Sequence, residues 1–232
     1  MTQVEPGLRK LGAWGADVRA VVLVLHGGQE VSKARATRWY PAYWRMVPFA
    51  RDLRTAGRHA GVAVWLLRNR YRGWNAPELD PVADARWALA EIRRAHPDVP
   101  VALVGHSMGG RVGLRVADDP AIVGVCALAP WTPEGEPVAQ LADRTVLIAH
   151  GARDRMTDPA LSYSYAERAK VVTDSVARFD VRGETHALLR RYSEWTLLVR
   201  RFTLGVLGIV ELDHDIAAAL AKPAPDGLRV PI

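Results

Sequence analysis

Residues 101–111 read VALVGHSMGGR. Four apolar residues suited to a buried strand run into Gly105-His106-Ser107-Met108-Gly109, where a helix is due to begin. In so sharp a turn, a side chain two positions either side of Ser107 would collide with the neighbouring strand or helix, and glycine removes it. Gly110 adds room for close packing. The turn holds the Ser107 hydroxyl away from the sheet and aims the first N–H groups of the helix at whatever the hydroxyl attacks. A helix N-terminus stabilises developing negative charge. Strand, Gly-x-Ser-x-Gly and helix together read as a nucleophile elbow, with Ser107 placed to attack.

A serine hydroxyl is a poor nucleophile near neutral pH without a base. The base is expected to be a histidine oriented by a carboxylate. Of the seven histidines, His26, His106 and His150 belong to turn motifs. His59 and His96 sit in surface-like helix ends, and His214 in the acidic segment ELDHDI. His186, in GETHALL, falls in a loop after a strand and is the candidate base. The candidate carboxylate is Asp154, in HGARDRMTDP. Asp158 suits an N-cap for the helix that Pro159 begins, while Asp174 and Asp180 lie near or within a strand. For a developing oxyanion, one donor is expected from the backbone N–H of Met108. The second is expected from the turn LHGGQE, with Gly28 the first choice and Gln29 the second.

The elements that must position these residues follow from the apolar pattern. Strands are expected at 18–28, 62–70, 99–107, 122–130, 145–151 and, last, 175–183. Helices are expected at 45–61, 80–97, 108–119, 158–170 and 186–205, the second with Asp80 as N-cap and Pro81 as its first residue. Strand–helix alternation with near-continuous apolar strands implies an α/β fold. It is a mostly parallel twisted sheet with helices on both faces. Ligands in such sheets bind outside the carboxyl ends of the strands, and His26, Ser107, Asp154 and His186 all fall there.

The 232 residues read as one domain, 1–232, with an N-terminal edge segment at 1–17 and a proline-bearing tail at 222–232. The only cysteine, Cys126, excludes an internal disulfide framework and fits a reducing cytoplasm. The N-terminus has no apolar signal region, and the late apolar stretch is interrupted by Arg200 and Arg201, so no integral membrane segment is expected. The net charge of +6 is spread among acidic residues, which argues against a nucleic-acid partner.

The motifs around His26-Gly27-Gly28, Ser107, Asp154 and His186, in that chain order, resemble the α/β-hydrolase superfamily over residues 18–205. The resemblance implies a Ser–His–Asp enzyme that forms an acyl-enzyme on Ser107 and acts on a small-molecule carboxylic ester or thioester, with no metal and no organic cofactor. A thioesterase or acyltransferase using the same triad is the alternative. A non-catalytic binding protein on the same fold ranks third. Only residues 131–144 stand where many members insert a helical cap, so no separate cap domain is expected. The first residues also offer little for the family's leading hairpin. Loops at 34–46 and 68–80 are the candidates to roof the site. Trp74, Trp131, Tyr71 and Trp39 are the candidate pocket residues. The nearby Arg68, Arg70 and Arg72 suit either a solvated loop or an anionic substrate.

Overall fold

Residues 4–13 and 15–232 are described by the computed structural model. The first three residues and Trp14, all in the expected edge segment, lie outside the described residues. The strands are β1 (Gly7–Gly12), β2 (Ala20–Leu25), β3 (Val62–Arg68), β4 (Val101–His106), β5 (Ile122–Leu128), β6 (Thr145–Gly151), β7 (Val176–Val181) and β8 (Val230–Pro231). The α-helices are α1 (Pro41–Gly57), α2 (Asp80–Ala95), α3 (Met108–Arg115), α4 (Pro159–Val172), α5 (Tyr192–Val206) and α6 (His214–Ala221).

These strands form one eight-stranded sheet in the order β1-β3-β2-β4-β5-β6-β7-β8. β1 runs antiparallel to β3, and the other pairings are parallel. Side chains alternate across a strand, and the core divides accordingly. Ala20, Val22 and Val24 of β2 pack on one face with Met46 and Phe49 of α1 and Trp195 and Phe202 of α5. Val21, Leu23 and Leu25 pack on the other with Leu89 of α2, Val112 of α3 and Tyr165 of α4. Both faces are covered, so the central strands carry no polar alternation. No separate cap interrupts β5 and β6; a single short 3-10 turn, Ala139–Leu141, lies between them. No helix among the described residues is long and apolar enough to cross a membrane.

Several boundaries differ from the sequence expectation. The first helix begins at Pro41, not near Arg45, because proline is pre-set for the first helical turn. Tyr43 and Trp44 therefore ride on α1 and not on a loop. Asp80 is inside α2 and Leu79 occupies the cap position. The Asp80 carboxylate instead takes Lys33 Nζ at 2.7 Å and Asn75 Nδ2 at 2.8 Å. Asp158 does cap α4, accepting from the Ala160 N–H. The closing helix starts at Tyr192, six residues beyond His186. Buried Glu184 holds the intervening loop, accepting from the N–H groups of Thr185 and Arg191 and from the Trp195 indole. Beyond α5 the chain adds α6, which contains His214 and is capped by Asp213. It then adds β8 beside β7, so 175–183 is not the last strand and the proline-bearing segment ends on the sheet edge. At the opposite edge the described residues supply one antiparallel strand, β1, where little was expected.

The loop at 68–80 joins the segment that runs from Gln29 into the loop at 34–46. Gln29 and Trp74 exchange N–H···O bonds with the loop opposite each, Gly73 donates to Ser32, and Arg72 donates to Ala34. Asn75 seals the pair through its side chain, which meets both the N–H and the carbonyl of Ser32.

Candidate active site

Ser107 joins β4 to α3 with φ 56° and ψ −120°, a backbone conformation that costs a non-glycine residue about 1–3 kcal/mol. The close packing around it accounts for both flanking glycines. A Cβ on Gly105 would lie 2.2 Å from the Gly109 carbonyl oxygen, and one on Gly109 would lie 2.4 Å from that of Leu25. One glycine clears the helix and the other clears β2. Among the described residues, the Ser107 side chain makes no capping bond to α3.

Asp154 and His186 come together from the loops after β6 and β7. His186 Nδ1 lies 2.7 Å from Asp154 Oδ2. The same oxygen receives the Thr157 hydroxyl at 2.9 Å and lies 3.2 Å from His150 Nε2. Asp154 Oδ1 accepts the N–H groups of Met156 and Thr157 at 2.8 and 3.1 Å. Burial on its own would raise the Asp154 carboxyl. Hydrogen bonds from His150, His186, Met156 and Thr157 outweigh it and hold the group well below the usual carboxylate range. An ionised carboxylate only accepts. His186 Nδ1 therefore donates in this bond, and in the neutral ring the lone pair falls on Nε2, the tautomer a general base needs.

Two further histidines are structural and neutral. Burial, with the charges of His186 and Arg45 adding to it, pushes His106 down to about 3. Its Nε2 donates to the His186 carbonyl at 2.9 Å. Burial likewise pushes His26 down to about 4. His26 Nε2 accepts the Asn69 N–H at 3.2 Å, so Nδ1 is the protonated nitrogen and donates to the Gly27 carbonyl at 2.6 Å. That bond fixes the peptide leading to Gly28.

Gly28 and Met108 are adjacent: a Cβ on Gly28 would lie 2.6 Å from the Met108 sulfur. Among the described residues, neither N–H donates to a backbone carbonyl. Gln29 differs. Its N–H donates to the Arg72 carbonyl at 2.8 Å, which removes it as an oxyanion donor.

The aromatic residues picked as pocket lining do not line the cavity beside His186. Trp74 is buried in the core. The Arg111 guanidinium sits 3.9 Å from its ring centroid and 4.4 Å from that of Trp131. Arg111 is paired in turn with buried Glu136 at 2.6 Å. Trp39 is 67% exposed and stacks on Trp44. Tyr71 lies under Lys33 and Arg70. Arg70 is held by Asp84, and Arg68 and Arg72 by the carbonyls of Ala36 and Arg35. The cavity beside His186 has a volume of about 680 Å³ and is lined by Arg45, Arg153, Arg155, Met156 and Arg190. Arg153 and Arg155 flank Asp154 in HGARDRMT, while Arg45 and Arg190 come from distant parts of the chain, so no run announced the four together. His150 and Thr157 were also missed as carboxylate partners. Their signal was present in HGARDRMT, four residues before Asp154 and three after it.

Comparison with known proteins finds a match to the model of the alpha/beta hydrolase family over residues 21–231. No curated protein sequence matches the chain. Among solved structures, a propionate-bound thermophilic esterase from Thermogutta terrifontis is 17% identical, with TM-score 0.68, covering 92% of this chain and 93% of that one. Est1E from Butyrivibrio proteoclasticus is 14% identical, with TM-score 0.67, covering 90% and 97%. An α/β serine hydrolase without a lid from Xanthomonas campestris is 19% identical, with TM-score 0.58, covering 86% and 94%. At these identities the likeness is one of fold.

Proposed function

The chain belongs to the alpha/beta hydrolase family, and from that premise we propose that it is a serine hydrolase of carboxylic esters or thioesters. Ser107 is the nucleophile, His186 the base, Asp154 its orienting carboxylate, and the Gly28 and Met108 N–H groups the oxyanion donors. The observation that best supports this reading is the 2.7 Å pairing of His186 Nδ1 with Asp154, together with the 2.9 Å bond by which His106, next to Ser107, holds the His186 carbonyl.

The steps follow from those positions. His186 Nε2 takes the Ser107 proton as Oγ attacks the acyl carbon. The tetrahedral oxyanion accepts from Gly28 and Met108, whose orientation costs no reorganisation during reaction. His186 then returns the proton to the departing alcohol or thiol. Water, deprotonated by the same nitrogen, attacks the acyl carbon, the bond to Ser107 Oγ breaks, and His186 returns the proton to Oγ as the acid leaves. The fold has no separate cap to exclude water from the acyl-enzyme, which favours hydrolysis over transfer to another acceptor.

The test is turnover of p-nitrophenyl esters of increasing chain length by the wild type and by Ser107→Ala. Loss of the serine is expected to lower kcat by up to about 10⁶. A neutral fluorophosphonate should label the wild type at Ser107 and leave the variant unlabelled. Equal turnover by both proteins would refute the assignment.

A further inference from the structure

The cavity beside His186 has an unbalanced charge. Arg45 comes from α1, Arg153 and Arg155 from the loop after β6, and Arg190 from the loop after β7. Among the described residues, none of the four makes an ion pair or a side-chain hydrogen bond. Arg70, Arg93, Arg111, Arg178 and Arg200, by contrast, each hold a carboxylate. What sets the first four apart from other unpaired surface arginines is that they line one cavity. Three acids that neighbour its lining residues in sequence are already committed. Asp154 is taken by His186, Thr157 and His150. Glu184 is taken by two backbone N–H groups and an indole, and Asp158 caps α4.

Resting on the hydrolase reading above, we infer that this cavity seats an anionic group of the substrate, so that the scissile ester or thioester carries a carboxylate or phosphate a few bonds from its carbonyl. Several like charges converging on one cavity repel each other in the free protein, and an anion relieves that repulsion. Guanidinium groups offer paired N–H donors that match carboxylate and phosphate oxygens. The cavity volume, about 680 Å³, is that of a small-molecule site. Met156, 77% exposed and on the same wall, supplies an apolar contact for the linker between ester and anion. His186 lines the cavity too, so an anion held by the arginines places its attached ester near the proposed base.

Two substrate pairs test this and locate the charge. The p-nitrophenyl monoester of glutarate is compared with p-nitrophenyl pentanoate, which places the anion on the acyl side. The butyryl thioester of 3-mercaptopropionate is compared with that of 1-propanethiol, which places it on the leaving group. The expected result is a preference of about tenfold in kcat/KM for the anionic member of one pair, lost in high salt because the site is open. Arg153→Gln or Arg155→Gln is expected to cut that preference about fivefold. Arg94→Gln, on α2 and paired with Glu91, is the control and leaves it intact. Equal or better turnover of the neutral member in both pairs overturns the inference. If no ester is turned over and Ser107 resists the fluorophosphonate, the hydrolase reading has failed separately. Calorimetric titration with glutarate and with inorganic phosphate then reads the cavity alone. Saturable binding weakened by Arg155→Gln supports the site, and absence of heat with both anions overturns it.

Discussion

His106 Nε2 donates to the main-chain carbonyl of His186 at 2.9 Å, a bond that spans 80 residues of sequence. The two imidazoles stand 4.7 Å apart between ring centroids. His106 is the residue before Ser107, so the elbow itself holds the loop that presents the proposed base. His106→Phe removes the donor and is expected to lower kcat about tenfold, with a smaller change in KM, because the base loses its position and not its chemistry. His106→Gln, which retains an N–H donor, should recover part of the loss. Steady-state kinetics of the two variants on one ester decides it. A fall confined to KM would contradict the positioning role.

The same histidine makes folding sensitive to acid. His106 and His26 lie near 3 and 4 in the fold against an ordinary value of 6.5. Both folded values are lowered, so below 6.5 the unfolded chain binds protons that the folded chain refuses. Their contribution is complete above 6.5 and is lost as pH falls from 6.5 toward 3–4. Tm measured across that window should drop steadily with acid. The drop should be shallower in His106→Phe, which removes one of the two titrating rings. Parallel curves for wild type and variant would show that His106 is not buried in its neutral form.

The elbow predicts opposite effects on stability from adjacent residues. Gly109→Ala forces a Cβ to within 2.4 Å of the Leu25 carbonyl oxygen, backbone that cannot move without disturbing β2. We expect a loss of roughly 3 kcal/mol or more, or no soluble protein. Ser107→Gly relaxes the residue at φ 56° and should raise stability by about 1 kcal/mol while abolishing turnover. Gly135→Ala controls for positive φ, since its Cβ would meet nothing, and should cost only about 1 kcal/mol. Denaturant melts of the three variants give the ranking.

The parts legible in the sequence were those set by local pattern. The apolar runs marked β2 to β7 because both faces of a parallel strand are buried. The glycines around Ser107 marked the elbow because backbone packs there at distances only glycine tolerates. What escaped was decided by contacts between distant segments. Two-residue β8 carries no periodicity of its own and exists because β7 offers an edge. The loop between His186 and Tyr192 read as helix, but buried Glu184 takes the N–H groups of Thr185 and Arg191 at its two ends instead. Nothing local revealed that Arg111 lies between Trp74 and Trp131. Of the four cavity arginines, Arg153 and Arg155 share one loop, and Arg45 and Arg190 join them only through the order of the strands.

Trp74, Arg111 and Glu136 should therefore respond as core and not as pocket. Glu136 takes both Arg111 and Arg115, with Arg111 almost enclosed. Glu136→Gln leaves these guanidinium groups without their counter-charge and should cost about 3–5 kcal/mol. Trp74→Ala should cost about 3–5 kcal/mol by opening a core cavity. Melting curves should register both losses. In Trp74→Ala the chain-length optimum for esters should stay where it is in the wild type. A shifted optimum would return Trp74 to the substrate pocket.

Asp154 acts on His186 through charge and through the tautomer it selects, and the two can be separated. Asp154→Asn keeps the shape of the side chain. Its amide, if it turns an N–H toward His186 Nδ1, requires that nitrogen to accept, which moves the ring proton to Nε2 and blocks the base. A loss of about 10⁴ in kcat is expected, as for the aspartate of other serine triads. Thr157→Val is the milder perturbation. It deletes the hydroxyl that reaches Asp154 Oδ2 at 2.9 Å and lies 3.0 Å from His186 Nδ1. The carboxylate stays ionised on its remaining donors, His150 and the N–H groups of Met156 and Thr157. The tautomer is thus retained, and the loss should be about tenfold or less, with Thr157→Ser restoring most of it. NMR of the imidazole nitrogens should find the proton on Nδ1 of His186 in wild type and Thr157→Val, and on Nε2 in Asp154→Asn. If Asp154→Asn keeps the Nδ1 proton yet loses the same activity, charge and not tautomer selection is what Asp154 supplies.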